Sequence, residues 1–408
     1  MSWEFSLAAR LADKREKSFV SIIIRIASVA VALSMAVMLV TTALIAGFKT
    51  EISGKIFGFW GHLHVQTANV YHSLLEVKPI EADTVLQQRI QSMPGIKGVQ
   101  AFALQAGIVR GKKDLDGLFL KGIGPDFNRD AFLPFLQEGK LPMVASNETT
   151  REMVISRQTA RRLQVKTGDR FRLFFVRNGN LLRRSFRIAG IYKTGLEEYD
   201  SKFALVDIQH VRELQGWGPN QIGGYEIFVD DVRNLDAWVD YLHTRVLPPN
   251  LQAQSIREKI PEIFEWLTLQ DINEVVILAL MAVVAIINMV TALLILILER
   301  TRMVGILKSL GASDWGIRRL FLQYAGIIAI RGMLWGNMLG ISLCLLQKYG
   351  HFVKLSEENY YLSEAPILLR LPDILALNLV TLVVILLFML LPSWLITRIA
   401  PVRTLRLD

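Results

Sequence analysis

The chain has 408 residues, 52% of them hydrophobic, with a formal net charge of +9 and a single cysteine. A mean hydropathy of +0.35 excludes an ordinary soluble protein, whereas 20% charged residues require a sizeable aqueous part. The lone Cys344 excludes an internal disulfide, and cations concentrated beside apolar runs argue for membrane orientation rather than nucleic-acid binding.

Residues 1–18 mix Trp3, Phe5, Leu7 and Leu11 with charges and predict a short helix lying at the cytoplasmic membrane surface; its amphipathicity is imperfect, so a plain helical extension of the first span is the alternative. Transmembrane helix 1 is expected over 19–48, since a span needs about 20 residues of helix. Its length and the lack of an A-x-A-like site favour an uncleaved anchor over a signal peptide. A large extracytoplasmic α+β domain is expected over 49–273, in two subdomains: about 60–135 with 221–255, and 138–217.

Within that domain, strands are expected at His62–Thr67, Val99–Phe102, Gly107–Arg110, Leu115–Ile123, Phe203–Val206 and Gly224–Val229. Helices are expected at Glu81–Ser92, Ser156–Leu163, Ile208–Leu214, Val232–Val246 and Ser255–Leu267. Asp169–Val176 and Leu182–Tyr192 read as a hairpin across Arg177-Asn178-Gly179-Asn180, because Asn-Gly supplies the positive φ of a tight turn.

Three further spans follow at 274–298, 314–347 and 371–396, giving four transmembrane helices in a 1+3 layout. A coupling segment occupies 299–313, an outer loop 348–370 and a tail 397–408. Lys and Arg crowd the N-terminal flank, the 299–313 segment with the start of the third span, and the tail. That bias places both termini in the cytoplasm and the large domain outside.

The 299–313 segment carries the mechanism. Met303, Ile306, Leu307 and Leu310 fall on one helical face, with Glu299, Arg300, Thr301, Arg302, Val304 and Lys308 around them. Gly311 ends the helix and Ser313 caps the next. Amphipathicity alone fits a surface loop helix and a helix docked on a cytoplasmic motor equally well.

This stretch resembles the signature of the FtsX/MacB class of ABC transporter permeases. Within that class the chain is most similar to the lipoprotein-releasing LolC/LolE family. Leu7-Ala8-Ala9-Arg10, Ala46-Gly47-Phe48, Lys55-Ile56, the run Gly190-Ile191-Tyr192-Lys193-Thr194-Gly195-Leu196-Glu197-Glu198-Tyr199-Asp200, and Ala400-Pro401-Val402-Arg403 carry the resemblance along its length. Two departures stand out. Met303 replaces an acid found in many relatives, and the Asn178-Gly179 hairpin is short where chaperone-holding permeases carry a long hook.

The resemblance implies a permease subunit that extracts lipoproteins from the outer leaflet of the inner membrane, not an enzyme. No Walker A pattern is present, so no cofactor is expected on this chain, and ATP with Mg acts in a separate cytoplasmic ATPase dimer. Implied partners are that ATPase, a second permease copy or paralogue, the lipoprotein, membrane lipid and a periplasmic lipoprotein chaperone; nucleic acid is not among them. The alternatives are a MacB-like efflux permease with a periplasmic adaptor and an FtsX-like signalling permease controlling a cell-wall hydrolase.

Each buried CH₂ of an acyl chain contributes about 0.8 kcal/mol to anchoring, so the lipid needs a protected exit. The expected gate lies on the outer parts of the first two spans, at Met38, Val40, Ile45, Val276, Leu280 and Val284. Simple packing or lipid contact explains those residues equally well. Gly332, Gly336 and Gly340 recur every fourth residue and read as a helix-packing seam. Arg331 sits inside the same span without an assigned role. His62 and His64 lack a clearly placed third metal ligand, Glu197, Glu198 and Asp200 read as a solvated acidic turn, and the sequon at Asn147 reads as chance.

Overall fold

The structure is a computed structural model that describes residues 19–68, 78–110, 115–145, 149–177 and 179–394. The expected surface helix at 1–18, the tail, Asn147 and Asn178 lie outside the described residues. Packing divides the described chain into two units. One takes residues up to Lys49, then Trp266–Lys354 and the chain from Glu364; the other takes Thr50–Glu265 and Leu355–Ser363.

The first helix, α1 (Phe19–Trp60), runs 42 residues without a break, well past the expected end at Phe48. It stops where Gly61 turns to φ +72°, and the Gly61 N–H donates to Phe57 O at 2.8 Å. The outer unit then follows as β1 (Leu63–Thr67), β2 (Ile80–Glu81), α2 (Thr84–Gln91), β3 (Ile96–Arg110), β4 (Leu115–Ile123), α3 (Arg129–Phe132), β5 (Leu136–Gly139) and β6 (Glu152–Ser156). It continues as α4 (Arg157–Leu163), β7 (Arg170–Arg177), β8 (Asn180–Tyr192), α5 (Glu197–Lys202), β9 (Phe203–Asp207), α6 (Ile208–Gln215), β10 (Gln221–Ile222), β11 (Gly224–Val229), α7 (Leu235–Arg245), β12 (Leu251–Ser255) and α8 (Ile256–Lys259). The last helices are α9 (Pro261–Glu299), α10 (Thr301–Ser309), α11 (Asp314–Gly350), α12 (Glu357–Tyr360) and α13 (Leu371–Ser393).

Among the described residues, four helices, α1, α9, α11 and α13, are long and apolar enough to cross a membrane. Their shared core gathers Val31, Met35 and Met38 of α1, Ala285 and Met289 of α9, Tyr324 and Ala329 of α11, and Ile385 and Met389 of α13.

The outer unit corrects the expected division into two subdomains. Its main sheet has ten strands in the order β12-β1-β11-β3-β4-β9-β6-β8-β5, with β7 joining β3 to β8. Strands β3, β4, β9, β6, β8 and β7 therefore close a ring, and β3 also belongs to the open β12-β1-β11 part of the strand order. The physical reason is the 15-residue length of β3. Its first half pairs with β11 through Phe102↔Gly224, and its second half pairs with β4 from Phe102↔Ile123 to Arg110↔Leu115. The sequence reading split this strand in two around Ala103–Ala106 and so lost the connection.

Other elements depart less. The expected helix from Ser255 is instead strand β12, the four-residue α8, and then α9 starting at Pro261. Proline suits that first position because its missing N–H would have no partner there. The fully buried β9, Phe-Ala-Leu-Val-Asp, pairs parallel with β4 and antiparallel with β6, as a continuous apolar run in a sheet interior should. Ser156 caps α4 as expected, accepting from the Thr159 N–H at 3.0 Å.

Candidate functional site

The α10 segment is a helix closed by Gly311 at φ +89°, and Ser313 Oγ accepts from the Gly316 N–H at 3.2 Å to start α11. The expected single apolar stripe divides. Val304 is fully buried in the bundle core, and Met303 and Leu307 pack against it. Ile306 and Leu310 stay 44% and 79% exposed, beside exposed Arg302 and Ser309. Arg300 and Thr301 are half-buried, Glu299 is exposed, and Lys308 pairs with Asp314 at 2.8 Å. The division follows from geometry: positions 303 and 307 lie four apart on the face that covers the spans. The helix thus offers a small apolar and basic outer face on a seated inner face.

The three glycines of α11 lie against the backbone of α1. A Cβ on Gly332 would sit 2.9 Å from Ser28 O, on Gly336 2.7 Å from Met35 Cβ, and on Gly340 3.2 Å from Ala36 Cα. Asn337 on α11 and Asn378 on α13 exchange amide hydrogen bonds of 2.7 and 3.1 Å, a pairing the sequence reading missed. Arg331 is exposed on α11.

The residues expected at the gate differ in burial. Met38 and Ile45 are buried and Val40 is half-buried, while Val276, Leu280 and Val284 are 51%, 57% and 42% exposed. Helix α1 meets α9 through the core shared by Met35, Met38, Ala285 and Met289 and through Lys49 Nζ, 2.7 Å from Asp271 Oδ1.

Two polar constellations in the outer unit escaped the sequence reading. The first surrounds the end of α1. Lys121 is fully buried, donates to Phe59 O, and lies 2.7 Å from Glu226 Oε1. Its ammonium also sits 4.9 and 4.7 Å from the Phe59 and Trp60 ring centres. Gln100 donates to Glu226 Oε2 at 2.6 Å, and His64 Nε2 donates to Trp60 O at 2.7 Å. A cation at a helix C-terminus is favourable, so Lys121 completes the cap that Gly61 begins.

Burial pushes the Lys121 amine down and the Glu226 carboxyl up, and each charge offsets part of the other's shift. Burial also pushes Lys259 down to about 8. It holds His64 well below the usual imidazole range, with Lys259 adding to the effect. His62 is pushed down to about 4 by burial and then by Lys97 and Arg257, and its Nδ1 accepts from the Val229 N–H at 2.8 Å. Both histidines are tied into the fold of this strand end.

The second constellation is the Gly190–Asp200 run. The expectation of a solvated acidic turn fails for Asp200, which is 4% exposed. Its carboxylate accepts from the Thr194 N–H, the Thr194 hydroxyl at 2.8 Å and the Gly195 N–H at 3.0 Å. Tyr192 is buried and donates its hydroxyl to Phe203 O at 2.9 Å. A Cβ on Gly190 would meet Lys140 O at 2.8 Å. The run therefore works as architecture, shaping one wall of a polar cleft of about 550 Å³ lined by Lys55, Lys193, Thr194, Glu357 and Ser363 among others. The signal available in the sequence was the Thr194-Gly195 pair with Asp200 five residues on from the glycine, residue types that stabilise turns through their side chains.

On the β7–β8 hairpin, Arg170 faces Arg187 directly, and Arg183 faces Phe174. Arg170, Arg172, Arg183 and Arg187 are all exposed. Val176 and Leu181, paired at the turn end, are 61% and 66% exposed.

The described residues thus combine four helices of spanning length, a short loop helix between the second and third of them and a large mixed domain inserted after the first. Residues 26–244 match the MacB-like periplasmic core domain family, and residues 275–401 match the FtsX-like permease C-terminal family. The first match spans more than half of the chain, which belongs to that family and is an ABC transporter permease of the FtsX/MacB class. Along 98% of its length it is 23% identical to the lipoprotein-releasing system transmembrane protein LolC of Xylella fastidiosa, covering 97% of that protein. It is 25% identical to the corresponding LolE of Haemophilus influenzae, over 85% of this chain and 82% of that one. The solved periplasmic region of MacB from Actinobacillus actinomycetemcomitans aligns at 16% identity over 49% of this chain and 92% of that region, with a TM-score of 0.34. The spanning helices and the periplasmic-type domain fit an inner-membrane protein.

Proposed function

We propose that this chain is the permease subunit of an ATP-driven transporter that extracts lipoproteins from the outer leaflet of the inner membrane. The observation that carries this reading is the end-to-end similarity to a lipoprotein-releasing LolC, 98% of this chain against 97% of the relative. Both termini lie in the cytoplasm, by the Lys and Arg bias of the flanks. ATP and Mg act in a separate ATPase dimer, which α10 contacts through Ile306, Leu310 and Arg302. A second permease, identical or paralogous, completes the pair. The short β7–β8 hairpin, lacking a long hook, makes this chain less like the chaperone-docking member of such a pair than like the lipoprotein-receiving one or a permease working as a single type.

Depletion followed by membrane fractionation of labelled lipoproteins tests the cargo. Outer-membrane lipoproteins should accumulate in the inner membrane. Normal sorting with septation defects would favour hydrolase control instead, and normal sorting with loss of small-molecule or peptide export would favour efflux. The motor contact is tested separately by Ile306→Asp with Leu310→Asp. Because both side chains are exposed, membrane levels should hold while the ATPase recovered with the permease falls about tenfold, a loss on the scale of 1.4 kcal/mol. Unchanged recovery would remove α10 from the motor interface.

A further inference from the structure

Residues 355–363 are the middle of the connection between α11 and α13, yet they pack as part of the outer unit. We propose that this segment is a strap, latched to the outer domain by two lysines, through which that domain is tied to the movement of α11 and α13. The base of the strap is closed by the Leu355 N–H donating to Ser363 O at 2.9 Å. Its middle is the short α12, followed by Tyr361 at φ +59°.

Two bonds hold it. Lys193 Nζ lies 2.5 Å from Glu357 Oε1, and Lys55 Nζ donates to Tyr361 O at 3.0 Å. Both lysines line the polar cleft with Glu357 and Ser363. The domain side of the latch is braced. The Lys193 N–H donates to Phe135 O at 2.8 Å, and Asp200 pins the next two residues, Thr194 and Gly195. Gly195 has φ +80°, and a Cβ there would come within 2.5 Å of Lys55 Nζ. The Lys193-Thr194-Gly195 segment and Asp200 thus share one task, presenting Lys193 and leaving room for Lys55.

A flexible loop would need none of this. The nine residues are covalently continuous with α11 and α13 and held to the domain by an ion pair and a hydrogen bond, so they form a third link between the domain and the spans, beside the covalent ones through α1 and α9. Displacement of α11 or α13 then moves the strap, and the strap moves the 193–195 segment.

The test uses the full-length permease with its ATPase in lipid nanodiscs, in four forms: wild type, Lys193→Glu, Glu357→Lys and the double reversal. Hydrogen exchange at the amides of 355–363 should rise about tenfold in each single reversal and return close to wild type in the double. The difference in exchange across β8 and β9 between nucleotide-free and ATP–vanadate states should be present in wild type, lost in the singles and regained in the double. Singles that free the strap but keep the nucleotide response would overturn the proposal, as would a double reversal that restores neither reading or a wild type with no nucleotide response. Glu357→Gln supplies the same comparison should a reversal fail to accumulate. Neither reading uses a lipoprotein, so loss of the cargo assignment leaves this result standing.

Discussion

The two stretches of α1 are held by opposite chemistry. In the membrane unit, three glycines of α11 let backbone approach backbone, with a Cβ on Gly336 barred 2.7 Å from Met35 Cβ. In the outer unit, the same helix ends on a buried ammonium and imidazole, Lys121 on Phe59 O and His64 on Trp60 O. Lipid is as apolar as a leucine side chain, so helices there gain cohesion from close packing and not from the hydrophobic effect. The outer domain has water as its alternative solvent and can bury an aromatic core around the helix end. There, charged groups are costly to desolvate but fix where the helix stops.

That comparison breaks most sharply at Glu226. Glu226→Ala leaves Lys121 buried without its counter-ion and should destabilise the outer unit by about 3–5 kcal/mol, whereas Lys121→Met with Glu226→Leu leaves no unpaired charge and should cost less, about 1–3 kcal/mol for the Phe59 carbonyl and Gln100 amide that lose these partners. Denaturant unfolding of the purified full-length chain, followed by Trp fluorescence, reads both. Equal losses in the two variants would mean that the pair acts by packing alone.

Next is acid. His62 titrates at about 4 when folded, against 6.5 unfolded. Between those values the unfolded chain binds the extra proton, so stability falls as pH drops from 6.5 towards 4 and levels off below. The full span corresponds to about 3 kcal/mol. His62→Asn should make that part of the stability–pH curve shallower for the outer unit, the buried His64 and His210 keeping their own shares, and leave the membrane unit unaffected; an unchanged slope would assign the effect to those two histidines.

Gly336→Ala comes third, at about 1–3 kcal/mol, the usual range for overpacking. Thermal unfolding in detergent should show it for the membrane unit, and Ala at the exposed Ile306 should show nothing. Smallest is Lys49→Ala. The Lys49–Asp271 pair is 44% and 45% exposed, so its loss should cost about 0.2–1 kcal/mol and shrink further in high salt.

Spans, caps and turns were legible because each rests on local rules. The Gly332-Gly336-Gly340 repeat, the Ser156 and Ser313 caps and the buried β9 run all follow from spacing or from one side chain meeting a nearby N–H. Local rules failed where partners were remote. Lys121 and Glu226 are 105 positions apart in sequence, Asn337 and Asn378 41, and nothing near either residue marks a pair. The α10 stripe was visible, but its division into a seated side with Val304 and a free side with Ile306 and Leu310 depends on which face the bundle covers.

The sequence by itself therefore determined the four apolar helices and the inserted domain, because hydrophobic length and periodicity act within a few turns of chain, while the permease class came from its resemblance to a known family. Only the tertiary structure decided that β3 joins the domain into one sheet, that ions end α1, that Asp200 is buried, and that the 355–363 segment is latched by Lys55 and Lys193. Those outcomes depend on burial and on contacts between distant residues, and a buried charge is tolerated only where folding brings its partner to it.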